Sequence, residues 1–470
     1  MKSKLLLLGL VAVLSNSVAT RACGTPPNVY AQQALSTNVA VASNAVAQLR
    51  QLGSEGLNAL LKAHEPIAAP LNKEDPRWVR LSAALDAVGG QRDCHASRLF
   101  WHRDFDAAKS EAQRTGKPIL SLRLLGNLDE ELSCANSRFF RTTLYANKEV
   151  SDYLRDHFVL HWKSVRPVPR ITIDMGDGRK IERTITGNSI HYVLDVHGEV
   201  VDALPGLYGP RAFLAGLQEA ERMAARVSKV EAAMRPAVLE KFHAGQLSRI
   251  NQRWGQDVSS VLPPEALAPK TITLANGMTK VALHPAAAAA MPLAVLKSGV
   301  ERPMLRALVP VHANLERAMT DDLWAGIAAL HQEEAVLDQN SLALIRAKTR
   351  PAGEAMRLAF SKRVVEDPML KTVQNLQRSI AEDTVRNEYT FHAKIHEWLA
   401  TTGAPREVDA LNRRVYAELF LTPDNDPWLG LAPADTFSAL ENGGLVQRSK
   451  IQNPKSKIQI NSKHQDPRRA

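Results

Sequence analysis

The chain has 470 residues, 45% apolar and 23% charged, with a formal net charge of +10 at pH 7. That length calls for two or three folded units, and the apolar fraction can supply a core to each. Three cysteines, Cys23, Cys94 and Cys134, are too few for a disulfide framework and leave at least one thiol unpaired in a monomer. The positive charge is concentrated at the end, where residues 445–470 carry seven basic side chains against Asp466 alone. A charged tail of this kind is a solvated segment, and basic patches interleaved with aromatics are absent, so nucleic-acid binding is set aside.

The chain opens on a basic "MKSK", followed by the apolar run "LLLLGLVAVL" and the small residues Ser17 and Ala19. The run is too short to span a bilayer and has the make-up of a secretory signal over residues 1–19, cleaved after Ala19. Lipidation at Cys23 is the weaker alternative, because Thr20 and Arg21 are poor neighbours for it. An exported protein, periplasmic or secreted, is expected, with no transmembrane segment. Residues 20–97 read as helical: "NAVAQLRQLGSEGLNALLKAHEPI" has leucines and alanines at three-to-four spacing, and "VRLSAALDAVGGQ" closes on Gly89 and Gly90.

The texture changes near Trp101. Asp104 N-caps an expected helix that ends at Gly116 and Pro118, and "ILSLRLL" reads as a strand. "FVLHWKSV" is a second strand, Asp177-Gly178 joins a hairpin, and "IHYVLDVHGEVVDAL" forms a pair turning at His197-Gly198. A long helix follows. These elements make an α/β unit over residues 98–234, a common domain size. Residues 235–304 are expected as linker with one hairpin at Asn276-Gly277. Residues 305–444 return to a helical pattern and form a C-terminal helical domain. The tail, 445–470, repeats SKIQ twice and reads as disordered.

The α/β unit resembles the thioredoxin-like superfamily, in its exported branch. The resemblance rests on Trp101, the helix end "TGKP" at 115–118, the strand after it, Cys134 with Ser137 three residues on, and Val150 in "NKEV". It rests also on "YVLDVHGEVVDALPGLYGPRAFLAGL" as the closing strand pair and last helix. The fold class expected is therefore a thioredoxin-like α/β domain flanked by mostly α-helical regions. The resemblance implies that Cys134 stands for the attacking thiol and Ser137 for the resolving one. It also puts Ile190 where the family carries a cis-proline, which a non-proline residue rarely replaces in the cis form.

Cys134 can be read in three ways. At a helix N-terminus, with Arg138 and Arg141 within two turns, its thiolate is favoured, and Ser137 can donate to it. Protein thiols or disulfides would then be its partners, and a second thiol would have to resolve the mixed disulfide. Against this, Asp129, Glu130 and Glu131 oppose a thiolate, and free cysteine is usually buried and inert. A disulfide to Cys94 is the third option. The two functions carried forward are a single-cysteine exchange protein using Cys134 and Ser137, and a redox-inactive scaffold whose helical regions bind protein partners.

Elsewhere, Glu388, His392 and His396 fall at four-residue steps on one helix face. Two imidazoles at that spacing can chelate zinc given further ligands, but Ala393 stands where a zinc-protease helix carries glutamate. They are weak metal candidates, and no metal is assigned. His95, His102, His157, His161 and His191 read as packing or surface residues. No haem site, phosphate loop, nucleophile elbow or EF-hand spacing is present, so no cofactor is expected.

Overall fold

The computed structural model describes residues 25–65, 74–184, 187–262, 270–273, 279–282, 321–349 and 368–426. The expected signal segment, Cys23, the Asn276-Gly277 turn and the basic tail lie outside them.

Four helices open the described chain: α1 (Pro27–Gln33), α2 (Val39–Gln51), α3 (Ser54–Ala63) and α4 (Pro76–Gly89). Asn38 and Asp75 cap α2 and α4 with their side chains. Leu49, Leu57, Leu60, Leu81 and Leu85 close a core of their own, which Cys94 joins. The one-turn helix α5 (Cys94–Ser97) leads into the sheet.

A five-stranded sheet organises the middle of the molecule. Its strands are β1 (Trp101–His102), β2 (Ile119–Leu125), β3 (Val159–Arg166), β6 (Ser189–Leu194) and β7 (Val200–Pro205), in the order β1-β3-β2-β6-β7. The first three run parallel, while β6 is antiparallel to both β2 and β7. β2, β6 and β7 are buried along their whole length. They are mostly apolar on both faces because helices cover both, with Ser121, Arg123, His191 and Asp202 as buried polar interruptions. Helix α6 (Phe105–Thr115) is capped by Asp104 and stops at Gly116, whose φ of 73° is left-handed. α7 (Ala135–Phe139) passes into a π-helical turn over 140–144, and α8 (Lys148–His157) follows. β4 (Arg170–Asp174) and β5 (Lys180–Thr184) form a separate exposed hairpin. α9 (Pro210–Val227) closes the unit.

The stretch after 234, expected as linker, begins instead with the 27-residue helix α10 (Arg235–Val261). Its buried stripe is Leu239, His243, Gln246, Ile250, Trp254 and Val258, at three-to-four spacing but with polar members that hide the period. The hairpin β8 (Lys270–Thr273) with β9 (Thr279–Ala282) is present. The C-terminal helices are α11 (Asp321–Leu330), α12 (Gln339–Lys348), α13 (Pro368–Arg386), α14 (Ala393–Leu399) and α15 (Val408–Arg414). A π-helical turn over 387–392 joins α13 to α14, so 368–399 is one continuous helix.

The C-terminal helices share a single apolar core with the sheet, from Trp101 through Leu204 to Trp324, Val385 and Tyr416. Polar contacts stitch the same seam. Val200 N–H donates to the Arg406 carbonyl at 2.9 Å, and Arg166 donates to the Thr422 carbonyl at 2.6 Å. Among the described residues no helix is long and apolar enough to cross a membrane.

Candidate functional site

Cys134 is the N-cap residue of α7, as the sequence suggests. Its N–H donates to the Leu125 carbonyl at the end of β2, 3.1 Å away. The side chain, however, is 0% exposed and packs in the main core with Phe140 and Tyr145. Ser137 is equally buried, and its hydroxyl lies 2.6 Å from the Ser133 hydroxyl and 2.9 Å from the Cys134 carbonyl. The two basic residues expected to support a thiolate are engaged elsewhere. Arg138 donates to Thr184 at 2.9 Å, and Arg141 to the carbonyls of Glu130 and Glu131.

The acidic run before the thiol is matched by cations: Asp129 pairs with Arg103, Glu130 with Arg170, and Glu131 with Arg92 and Lys348. Cys94 and Cys134 are both free thiols, so the bridge between them is not formed. Burial, then the field of Asp86, pushes the Cys94 thiol far above its ordinary range. Ile190 sits in β6, fully buried between Arg123 of β2 and Pro205 of β7, and no cis peptide occurs among the described residues.

The second set of candidates comes together more closely than its spacing predicts. Glu388 and His392 lie on the π-helical turn and His396 one turn on, in α14. The ring centroids of the two histidines are 4.2 Å apart. Nδ1 of His392 is 2.8 Å from Glu388 Oε2, which turns its Nε2 toward Asp202, 3.5 Å from Oδ1. Asp202 comes from β7 and is buried, as are both histidines. Nδ1 of His396 lies 3.9 Å from the same Asp202 oxygen and 2.8 Å from Nδ1 of His243, on α10. Donor atoms of Asp202, His392 and His396 all lie within 4.8 Å of one another. Nε2 of His392, His396 and His243 is in each case buried without a hydrogen-bond partner.

Electrostatics follow from this packing. Burial opposes the charge on Asp202, but His396 and His392 overcome it and hold the carboxyl well below the usual carboxylate range. Burial likewise opposes a proton on His392, but Glu388 and Asp202 prevail and raise it to about 10. Burial, then the field of His392, keeps His396 well below its ordinary value. Burial draws His243 down to about 4.

Asp202 and His392 line a cleft of about 380 Å³ between β7, α9, α10 and the 368–399 helix. Arg211, Arg253, Glu334 and Glu388 also line it; Arg253 pairs with Glu334, and Arg211 with Glu333 beside it. A second network braces one side: His331 bonds Asp257 at 2.7 Å and Glu334 at 3.1 Å, and Tyr389 donates to Asp257.

Sequence reasoning found Glu388, His392 and His396 but missed Asp202 and His243. Asp202 did carry a signal. It is a lone carboxylate inside the apolar strand "VVDALP", where a buried charge requires a partner. The five other histidines singled out in the sequence are structural: His95 meets Trp78 edge to face, His102 pairs with Glu111, His157 with Glu221, His161 with Ser121 and His191 with Tyr145.

No protein-family model, curated protein or solved structure matches this chain.

Proposed function

We propose that the chain is an exported protein whose thioredoxin-like α/β unit serves as a redox-inactive scaffold, a binding module rather than a thiol–disulfide exchanger. The observation that carries this reading is the complete burial of Cys134 and Ser137. Exchange requires in-line attack by an accessible thiolate on a disulfide sulfur. A thiol fully enclosed in the main core offers no such approach. The thioredoxin-like reading itself is supported by the element order: a helix ending at Gly116, the strand β2, Cys134 at a helix start, Val150 in α8, the antiparallel pair β6–β7, and α9. The binding surface is the cleft of about 380 Å³ where the α/β unit meets the C-terminal helices. Export is supported by the basic start and apolar run of residues 1–19.

Alkylation tests the reading. With Cys23 and Cys94 substituted, Cys134 is expected to resist iodoacetamide in the native protein and to react after denaturation. Native labelling with a midpoint below about pH 7.5 would instead establish an activated thiolate and restore the exchange protein. Ser137→Cys checks the alignment separately: a 134–137 disulfide under mild oxidant is expected if these positions are the family's cysteine pair.

A further inference from the structure

Three imidazoles crowd one buried carboxylate at the seam between the sheet and the C-terminal helices. An ion pair explains only part of this. A charged His392 between Glu388 and Asp202 satisfies Nδ1, yet its Nε2 stands 3.5 Å from Asp202 without a hydrogen bond. His396 and His243 bond each other through Nδ1. Buried polar atoms without partners are uncommon and costly, and His392 Nε2, unpaired and aimed at Asp202, points to a missing electron-pair acceptor.

We infer that Asp202, His392 and His396 form a mononuclear site for a divalent transition-metal ion of the zinc class, with one coordination position open toward the adjoining cleft. The donor set is right for such an ion, since imidazole and carboxylate bind zinc at about 2.0–2.2 Å. Tetrahedral coordination at that length separates donors by about 3.3 Å. The His392–Asp202 spacing of 3.5 Å is already close to this; His396 Nδ1, 3.9 Å from Asp202, exchanges its hydrogen bond to His243 for the metal, and the three donors, all within 4.8 Å of one another, draw together around the ion. Glu388 is then not a ligand but the positioning residue. By accepting from Nδ1 of His392 it fixes the tautomer and aims Nε2 at the metal, the carboxylate–histidine arrangement common behind such ligands. Three protein ligands leave a fourth position for water or a small ligand. Asp202 and His392 both line the cleft, so that position faces it, while His396 lies deeper. No thiol takes part, so the site stands whether or not Cys134 is inert.

The test uses the full chain, purified without a histidine tag, stripped with EDTA and titrated with Zn²⁺ alone. One equivalent per chain is expected. X-ray absorption on the loaded protein should show two imidazoles and oxygen, with no sulfur. Glu388→Gln keeps the ligands and should weaken binding about 10- to 100-fold. Asp202→Asn and His392→Gln should weaken it further, and circular dichroism checks that each variant folds. If a ligand variant does not fold, Glu388→Gln and the absorption spectrum still decide. Absence of stoichiometric binding by the wild type, a sulfur ligand, or unchanged affinity in Glu388→Gln would each overturn the site and leave a metal-free ion-pair cluster.

Discussion

His191 stands in the middle of β6, fully buried, with Nε2 2.6 Å from the Tyr145 hydroxyl. Burial holds it down to about 3, and burial, then the charge of Arg123, holds His161 to about 3 as well. Unfolded, both titrate near 6.5. Between about pH 6.5 and 3 the unfolded chain therefore binds protons that the folded one refuses. Stability is fully present above 6.5 and falls as pH drops, by about 1.4 kcal/mol per pH unit for His191 within that window. His331 runs the other way. Its hydrogen bonds to Asp257 and Glu334 raise it to about 9, so its contribution is full below 6.5 and is lost as pH rises through 9. Urea midpoints measured from pH 5 to 10 should therefore peak near pH 6.5 and fall on both sides, and His331→Gln should flatten the alkaline limb. A midpoint unchanged from pH 7 to 5 would show that His191 and His161 are hydrated. A second residue-scale outcome concerns Arg123, whose buried guanidinium donates to Asp409 at 3.1 Å. Asp409 is partly exposed, so Asp409→Ala should cost about 1–2 kcal/mol in urea unfolding, less than a fully buried pair.

At the scale of elements, the continuous helix 368–399 does most of the joining. Its π-helical turn adds a residue per turn at Asn387–His392. Such turns often mark functional positions, and this one carries both Glu388 and His392. Its neighbour, the start of α9, fits against the 332–335 turn through Gly209. That glycine's N–H donates to Thr384 Oγ1 at 2.8 Å, and a Cβ there would lie 2.2 Å from the Glu334 carbonyl. Backbone cannot yield as a flexible side chain can. Gly209→Ala is expected to destabilise by about 1–3 kcal/mol, read as a lowered urea midpoint. Wild-type stability in that variant would mean the 332–335 turn moves freely. α10 teaches a related lesson. Leu239, Ile250, Trp254 and Val258 repeat at helical spacing, but His243 and Gln246 occupy the same face. A buried histidine at a core position looks polar in sequence, so the stripe is broken on paper although it is continuous in the fold.

On the scale of the whole molecule, the described residues hold two apolar cores. One belongs to α1–α4, and the other runs from the sheet through the C-terminal helices without a break. The α/β unit has the size of an independent domain, yet its β7–α9 side is covered by α10 and the 368–399 helix, and its Arg123 is paired from α15. Residues 98–234 produced alone should therefore fail to show the cooperative thermal transition of the full chain, since the exposed face includes Leu204, Leu207 and Tyr208. A fragment melting cooperatively within a few degrees of the full protein would refute the shared core.

Local signals were enough for several features. The Asp104 cap, the Gly116 stop, the Asp177-Gly178 hairpin and the β6–β7 pair are each dictated within a few residues, by backbone preference and alternation. The four-residue steps of Glu388, His392 and His396 were legible for the same reason, because one helix face is a local property. Whether a thiol is accessible or an imidazole is paired is not local. Cys134 has a reactive cysteine's place at a helix start, but side chains from other elements close over it. Asp202 and His243 lie far from His392 in sequence and meet it only when β7 and α10 pack against the 368–399 helix. Tertiary packing alone decided that the thiol is buried and that the histidines have a carboxylate, because desolvation and donor geometry depend on which distant elements share a core.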